Sequence, residues 1–191
     1  MIYLIGGAPR IGKSITGRQF AISISARFVS TDELENPSLE ASVIFNVDAK
    51  KNVLAPSERI ESVKNEAKQI ILKIENIIDN TINKHQDAVI EGALLFPIYV
   101  NDFIKIFREE NIRVIFIGSR SVELIMEGMA RNTSENNWSK DFDQEVLTQI
   151  AVFSKAFSNY IYDESKKYNL LYKERSNDFQ KDIRAIIKYF C

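Results

Sequence analysis

Residues 6–14 read GGAPRIGKS, and they follow directly on the apolar run IYLIG at 2–6. The spacing is Gly7, four residues, then Gly12, Lys13 and Ser14, which fits G-x-x-x-x-G-K-[ST]. An apolar strand ends here, and a helical pattern, KSITGRQFAISIS at 13–25, begins inside the loop. Strand, glycine-rich loop and helix together imply an anion site. Glycine has no Cβ to obstruct phosphate oxygens. Successive N–H groups converge on the anion, and the new helix adds the positive end of its dipole. In such a loop Lys13 brings a full charge to the transferred phosphoryl group and Ser14 a hydroxyl ligand for Mg2+. The expected nucleotide contacts are Gly7, Ala8, Pro9, Arg10, Ile11, Gly12, Lys13, Ser14 and Ile15. The competing reading is a glycine-rich turn with a chance Lys-Ser.

Composition sets the bounds. A chain of 191 residues is enough for one domain with a substantial core. At 45% hydrophobic and 27% charged, the composition is that of an ordinary soluble globular protein. The net charge of -1 argues against a nucleic-acid or anionic-membrane partner, so attraction for an anion has to be local. The one cysteine, Cys191, excludes an internal disulfide framework and reads as a surface thiol. The opening MIYLIGGAP lacks the basic stretch and the length of a secretory signal, and no apolar run approaches a membrane span. The expected location is cytoplasmic. The lone His85, in NKHQD, reads as a solvated turn residue, and one histidine with one cysteine leaves no material for zinc sites or His-dependent triads.

Short apolar runs alternate with helical patterns along the chain. RFVS (27–30), DAVIEG (87–92), IRVIFIG (112–118) and NLLYKE (169–174) read as further strands. Helices are expected at 57–83, with Ser57 as N-cap, and at 97–110, 120–130, 143–167 and 177–190, the last with Asn177 or Asp178 near its cap. In the first of these, Ile60, Val63, Ala67, Ile70, Ile71, Ile74, Ile77 and Ile78 make one apolar face. Residues 31–56, interrupted by Pro37 and Pro56, are poorly periodic. Alternating strands and helices, with strands that are near-continuous apolar runs, predict an α/β fold on a parallel sheet. One domain is expected over 1–191, with a substrate-binding region at about 33–85 and a short lid at about 131–143.

Three acidic or basic positions extend the chemistry. Asp32 follows the second strand and should face the same crevice as Lys13, where a carboxylate can accept a hydroxyl proton. Its bland reading is a helix cap. Glu91 ends the third strand and can hold Mg2+ through water near Ser14, or else only pair locally; Gly92 beside it permits close backbone approach to a ligand. Arg131 ends the helix after the fourth strand and can reach the transferring phosphate, or simply sit at an exposed helix end. Lys140 is a weaker candidate, and Trp138 could pack the closed segment or stack on a ligand. Arg59 and Arg10 could meet an anionic acceptor, with a solvated helix face the expected state of Arg59.

With these pieces the chain resembles the small P-loop kinases, the adenylate, shikimate and gluconate kinase group, with a 2-phosphoglycerate-kinase-like flavour. GGAPRIGKS is similar to their phosphate loop, STDEL to their aspartate after the second strand, VIEGALLFP to a third-strand IEG segment and VELIMEGMARN to the helix entering a lid. LLYKERSNDFQKDI is similar to the last strand and helix, whose connecting loop often lies beside the adenine. The resemblance implies a three-layer α/β/α P-loop NTPase fold with a five-stranded parallel sheet in the order 2-3-1-4-5. It implies ATP and Mg2+, with Lys13 and Ser14 in the phosphate and metal roles, Asp32 activating the acceptor and Arg131 serving the lid. Gly128 departs from the pattern, because a second arginine often stands there.

The main expectation is therefore ATP-dependent phosphoryl transfer to a hydroxyl or phosphate of a small metabolite. A nucleoside or nucleotide kinase is the narrower alternative, for which Phe45 and Arg59 are the candidate contacts. A non-catalytic nucleotide-binding regulatory protein is the other. The sequence leaves the acceptor and the oligomeric state open, a homodimer included.

Overall fold

The computed structural model describes residues 1–34, 55–131 and 142–191. Ile2–Gly7 forms β1, the middle strand of a five-stranded sheet with β2 (Arg27–Ser30), β3 (Ala88–Gly92), β4 (Ile112–Gly118) and β5 (Tyr172–Glu174). The order is β2-β3-β1-β4-β5, and every neighbouring pair is parallel. Parallel strands are covered on both faces, which is why Ile2, Leu4, Ile5, Val89 and Ile90 are all fully buried. The expected α/β sheet and its strand order are those found.

Among the described residues six helices flank the sheet: α1 (Lys13–Ser23), α2 (Pro56–Asn83), α3 (Pro97–Phe107), α4 (Val122–Arg131), α5 (Gln144–Lys167) and α6 (Phe179–Phe190). On one face Tyr3 meets Phe20 of α1 at 4.9 Å and Phe190 of α6 at 5.3 Å. On the other, Phe96 before α3 packs 5.5 Å from Phe157 and 6.0 Å from Tyr160, both on α5. The stripe on α2 predicted from the sequence is buried at Ile60, Val63, Ala67, Ile70, Ile74 and Ile78. Each such isoleucine stabilises the fold by about 2 kcal/mol relative to exposure.

Some boundaries differ for local reasons. α2 starts at Pro56, not after a Ser57 cap. Proline fits a first helical position, and the Glu58 carboxylate accepts from the Ala55 N–H at 2.9 Å. α3 stops at Phe107 because Arg108 takes φ 69. β5 is only Tyr172–Glu174: Asn169 (φ 53) and Leu170 instead close the end of α5, with Leu170 N donating to Ser165 O at 2.8 Å. Asp178, not Asn177, caps α6 by accepting from Lys181 N at 2.9 Å. His85 is an exposed turn residue with φ 52, and Cys191 is exposed. Among the described residues no helix is long and apolar enough to cross a membrane. Pro37 and Phe45, with most of 31–56, and Trp138 and Lys140 of the expected lid lie outside the described residues.

Candidate active site

Parallel strands all end at one edge, and the chemistry-bearing residues follow those ends. β1 runs out at Gly7, and the chain turns through Arg10 (φ 62) and Gly12 (φ 88) into α1. Gly12 is the cap of α1, so no side chain satisfies the helix's first N–H groups, and its first turn holds no acid. Among the described residues no side chain caps those donors, and an anion is a fitting partner for them. Lys13 is 7% exposed, and its Nζ donates to Ala8 O at 2.7 Å across the loop. An ammonium has three donors, which leaves two for a ligand. Ser14 is exposed at the mouth of the loop.

The register places Ser30 of β2 beside Glu91 of β3, and Ser30 Oγ donates to Glu91 Oε1 at 2.7 Å. The Ser14 hydroxyl lies close enough to the Glu91 carboxylate to help hold its pKa down. Glu91 is 1% exposed; burial pushes its pKa up, Lys13 and the two serines pull it back, and Asp32 adds to the rise. Lys13 mirrors it: burial pushes its pKa down, while Glu91 and then Asp32 hold it up. Asp32 is exposed on a short 3-10 helix, Thr31–Glu33, immediately after β2. Its charge acts on Arg10, Lys13 and Glu91, so these groups lie near one another at the strand ends. Ser30 stands at the cap position of that 3-10 turn, and Asp32 lies in its first turn. Gly92 (φ 157) lets β3 end against the turn: a Cβ added there would lie 2.7 Å from Thr31 Cβ.

Arg131 ends α4, exposed, with Nη2 3.0 Å from Glu127 Oε2. The sequence-predicted residues of the loop, Asp32 and Glu91 thus come together, whereas Arg131 stands on the neighbouring wall. Beside it lies a residue not singled out from the sequence. Arg175, just after β5, sets its guanidinium over Gly128 and 4.7 Å from the Phe179 ring centre. Phe179 in turn lies against Gly12. The available signal was weak: a polar ERSND stretch at the carboxyl end of a strand, and hence at the site edge.

Arg59 also differs from expectation. It is half-buried rather than solvated, with its guanidinium carbon 4.8 Å from the Phe153 ring centre, and burial pushes its pKa down. Phe153 stands five residues before Ser158, whose hydroxyl accepts from Ser119 N just beyond β4. Among the described residues no group of three or more His, Cys, Asp or Glu could hold a metal. Ser14 and Glu91 supply hard oxygen donors, which suit an Mg2+ that keeps most of its ligands as water and phosphate.

No protein-family profile and no curated protein sequence matches the chain. Solved structures do match. A gluconokinase from Sinorhizobium meliloti superposes with TM-score 0.59 at 14% identity, covering 99% of this chain and 91% of that one. A shikimate kinase from Acinetobacter baumannii, in complex with shikimate, gives 0.56 at 13% identity, with 99% and 91% covered. A sugar kinase from Janibacter gives 0.56 at 11% identity, with 99% and 93% covered. The fold is that of the small-molecule P-loop kinases.

Proposed function

We propose that this protein is a phosphotransferase that moves the γ-phosphoryl group of ATP to a small metabolite. The observation that carries the reading is that Lys13, Ser14, Asp32 and Glu91 all lie at the carboxyl ends of the neighbouring strands β1, β2 and β3. The printed names of the fold neighbours, gluconokinase, shikimate kinase and sugar kinase, support transfer to a small hydroxyl-bearing acceptor. The triphosphate lies along Gly7, Ala8, Pro9, Arg10, Ile11, Gly12, Lys13, Ser14 and Ile15, on backbone N–H groups and the helix dipole. Lys13 neutralises charge on the transferring group. When bound, Mg2+ would be held by Ser14 directly and by Glu91 through water, and would supply charge neutralisation across the phosphates.

Asp32 is the exposed carboxylate of the crevice and takes the proton of the acceptor hydroxyl. The acceptor oxygen bonds to the γ-phosphorus, the bond to the bridging oxygen breaks, and ADP carries the electron pair away. Arg131 adds positive charge to the transferring group once it leaves Glu127, its ion-pair partner on α4. Arg59 has no carboxylate partner among the described residues and favours an acceptor with an anionic group. A cytoplasmic setting is consistent with the single unpaired cysteine.

The test is ADP release from Mg-ATP across a panel of hydroxyl- and phosphate-bearing metabolites, wild type beside Lys13→Ala. Strong stimulation by one compound, lost in the variant, is the expected result. ATP that binds while no acceptor stimulates turnover would replace this reading with a non-catalytic nucleotide-binding role.

A further inference from the structure

The 3-10 turn Thr31–Glu33 carries Asp32, and a turn this short cannot fix its own direction. It has a single closing bond of its own, from Leu34 N to Thr31 O at 3.0 Å. What aims Asp32 is therefore what grips the turn from outside. On its inner side Thr31 is fully buried against Gly92. The Thr31 hydroxyl is buried with no hydrogen-bond partner among the described residues. Shape alone, not bonding, holds this end of the turn.

Two basic side chains reach the other end. Arg18 of α1 comes to 3.8 Å from Glu33 with both side chains more than half exposed, and its guanidinium also lies 4.5 Å from the Phe28 ring centre. An ion pair that long and that wet contributes little. Lys73 of α2 makes the stronger contact: its Nζ donates to Leu34 O at 2.9 Å, across 39 positions of chain. The last carbonyls of a helical turn lack internal partners and sit at the negative end of its dipole, so an ammonium suits them.

The contact is also unusual for this helix. Lys64 and Lys68 stay on α2, with Glu61 at 3.6 Å and Asn65 at 2.8 Å. No carboxylate stands three or four residues from Lys73, so the helix offers it no ion pair. Its backbone is firmly placed, because Ile70 and Ile74 on either side are buried in the core.

We propose that Lys73 is a positioning residue: from α2 it fixes the Leu34 carbonyl and so holds Asp32 at the strand ends, where the acceptor proton is taken. This inference rests on the kinase reading of Asp32. With Lys73 gone, the turn pivots about Thr31 and the carboxylate moves with it. A shift of about an ångström at a reacting group is costly even when its cause lies elsewhere.

The experiment follows ADP release from Mg-ATP with the panel of hydroxyl- and phosphate-bearing metabolites. It compares wild type, Lys73→Met, Lys73→Arg, Asp32→Ala and the double variant. Methionine suits an exposed helix position and drops only the charge, whereas arginine keeps a cationic donor. Amide hydrogen exchange at Leu34 reports on the turn. Lys73→Met should lower acceptor-stimulated kcat by about tenfold with KM for ATP unchanged, and exchange at Leu34 should quicken. Lys73→Arg should restore both. On the Asp32→Ala background Lys73→Met should cost less than about twofold, since the group it positions is gone. An equal loss with and without Asp32 would make the contact a matter of folding and overturn the inference. So would unchanged exchange at Leu34, or a loss that falls in KM for ATP. Silence of the whole panel with Mg-ATP still bound would overturn the kinase reading and this one together. Stimulation that Lys73→Met leaves intact would overturn this one alone.

Discussion

Lys13 and Arg175 are two desolvated cations on either side of Gly12, held by opposite means. Lys13 is enclosed by charge and hydrogen bonds: Ala8 O at 2.7 Å, with Glu91 and Asp32 acting on it from the strand ends. Arg175 is enclosed by shape, between a glycine and a phenylalanine, and its Nε has no hydrogen-bond partner among the described residues. An ion ringed by partners has its position fixed before any ligand arrives, and moving it leaves buried charge behind. An ion held by packing alone gives up far less on leaving. One end of the cleft is therefore preorganised and the other is only packed.

The largest effect should come from the preorganised end. Lys13→Ala removes the buried ammonium that opens α1, and turnover should fall by about 1,000-fold, the equivalent of ~4 kcal/mol of transition-state stabilisation. Single-turnover phosphoryl transfer is the measurement. A loss below about tenfold would mean that the fixed cation is not the catalytic one and that the contrast between the two sites has been drawn the wrong way round.

Next comes the frame that holds Asp32. Gly92→Ala introduces a Cβ 2.7 Å from Thr31 Cβ at a backbone φ of 157. Strain and overlap together should cost about 2–4 kcal/mol in chemical denaturation. Thr31 is fully buried, so it has nowhere to retreat except by carrying the turn, and Asp32 with it, away from Lys13. A variant of native stability would show that the strand end and the turn are looser than their packing indicates.

A third test addresses the balance around Lys13. The pKa of Glu91 is raised by burial, so the folded state binds that proton more tightly than the unfolded state does. Between the ordinary carboxylate range and the raised value the folded protein carries more protons. Stability conferred by this group is complete at low pH and is lost as pH rises through that window. Glu91→Gln has no such loss, so the stability of the variant relative to wild type should climb as pH is raised from roughly 4 to 8. A difference that stays constant with pH would mean that Lys13 and the two serines fully offset the burial.

The preorganised end was legible in the sequence and the packed end was not. GGAPRIGKS, Asp32 and Glu91 announce themselves because each sits where an apolar strand stops, and strand ends converge on one edge in a parallel sheet. The periodic face of α2 was equally plain, since burial every three or four residues needs only local spacing. Arg175 reaches Gly128 across 47 positions of chain, and nothing local to either residue signals the contact. Gly128 was visible only as the lack of an arginine. Arg59 was misjudged because its place on the polar side of a helix pattern gave no sign of Phe153 arriving from α5. The shortened β5 has the same origin: Asn169 and Leu170 are spent on ending α5, a turn that only its backbone geometry reveals.

The smallest effect tests how the packed end is framed. Ser176 gives Asp182 two hydrogen bonds, from its N–H at 2.7 Å and its hydroxyl at 3.0 Å. Ser176→Ala removes only the second. The carboxylate keeps the backbone donor and Lys173, so the loss should be about 1 kcal/mol, or ~2–4 °C in Tm for a chain of this size. Because the backbone bond carries the loop, Arg175 and Phe179 stay in place, and the losses of Ser176→Ala and Arg175→Ala should add to within about 0.5 kcal/mol in the double variant. Chemical denaturation of the three variants decides the matter. If the double variant loses less than the sum, the guanidinium and its frame move as one body, and Arg175 is not held by packing alone. If the losses add, frame and guanidinium are separate, which is what packing without pairing requires.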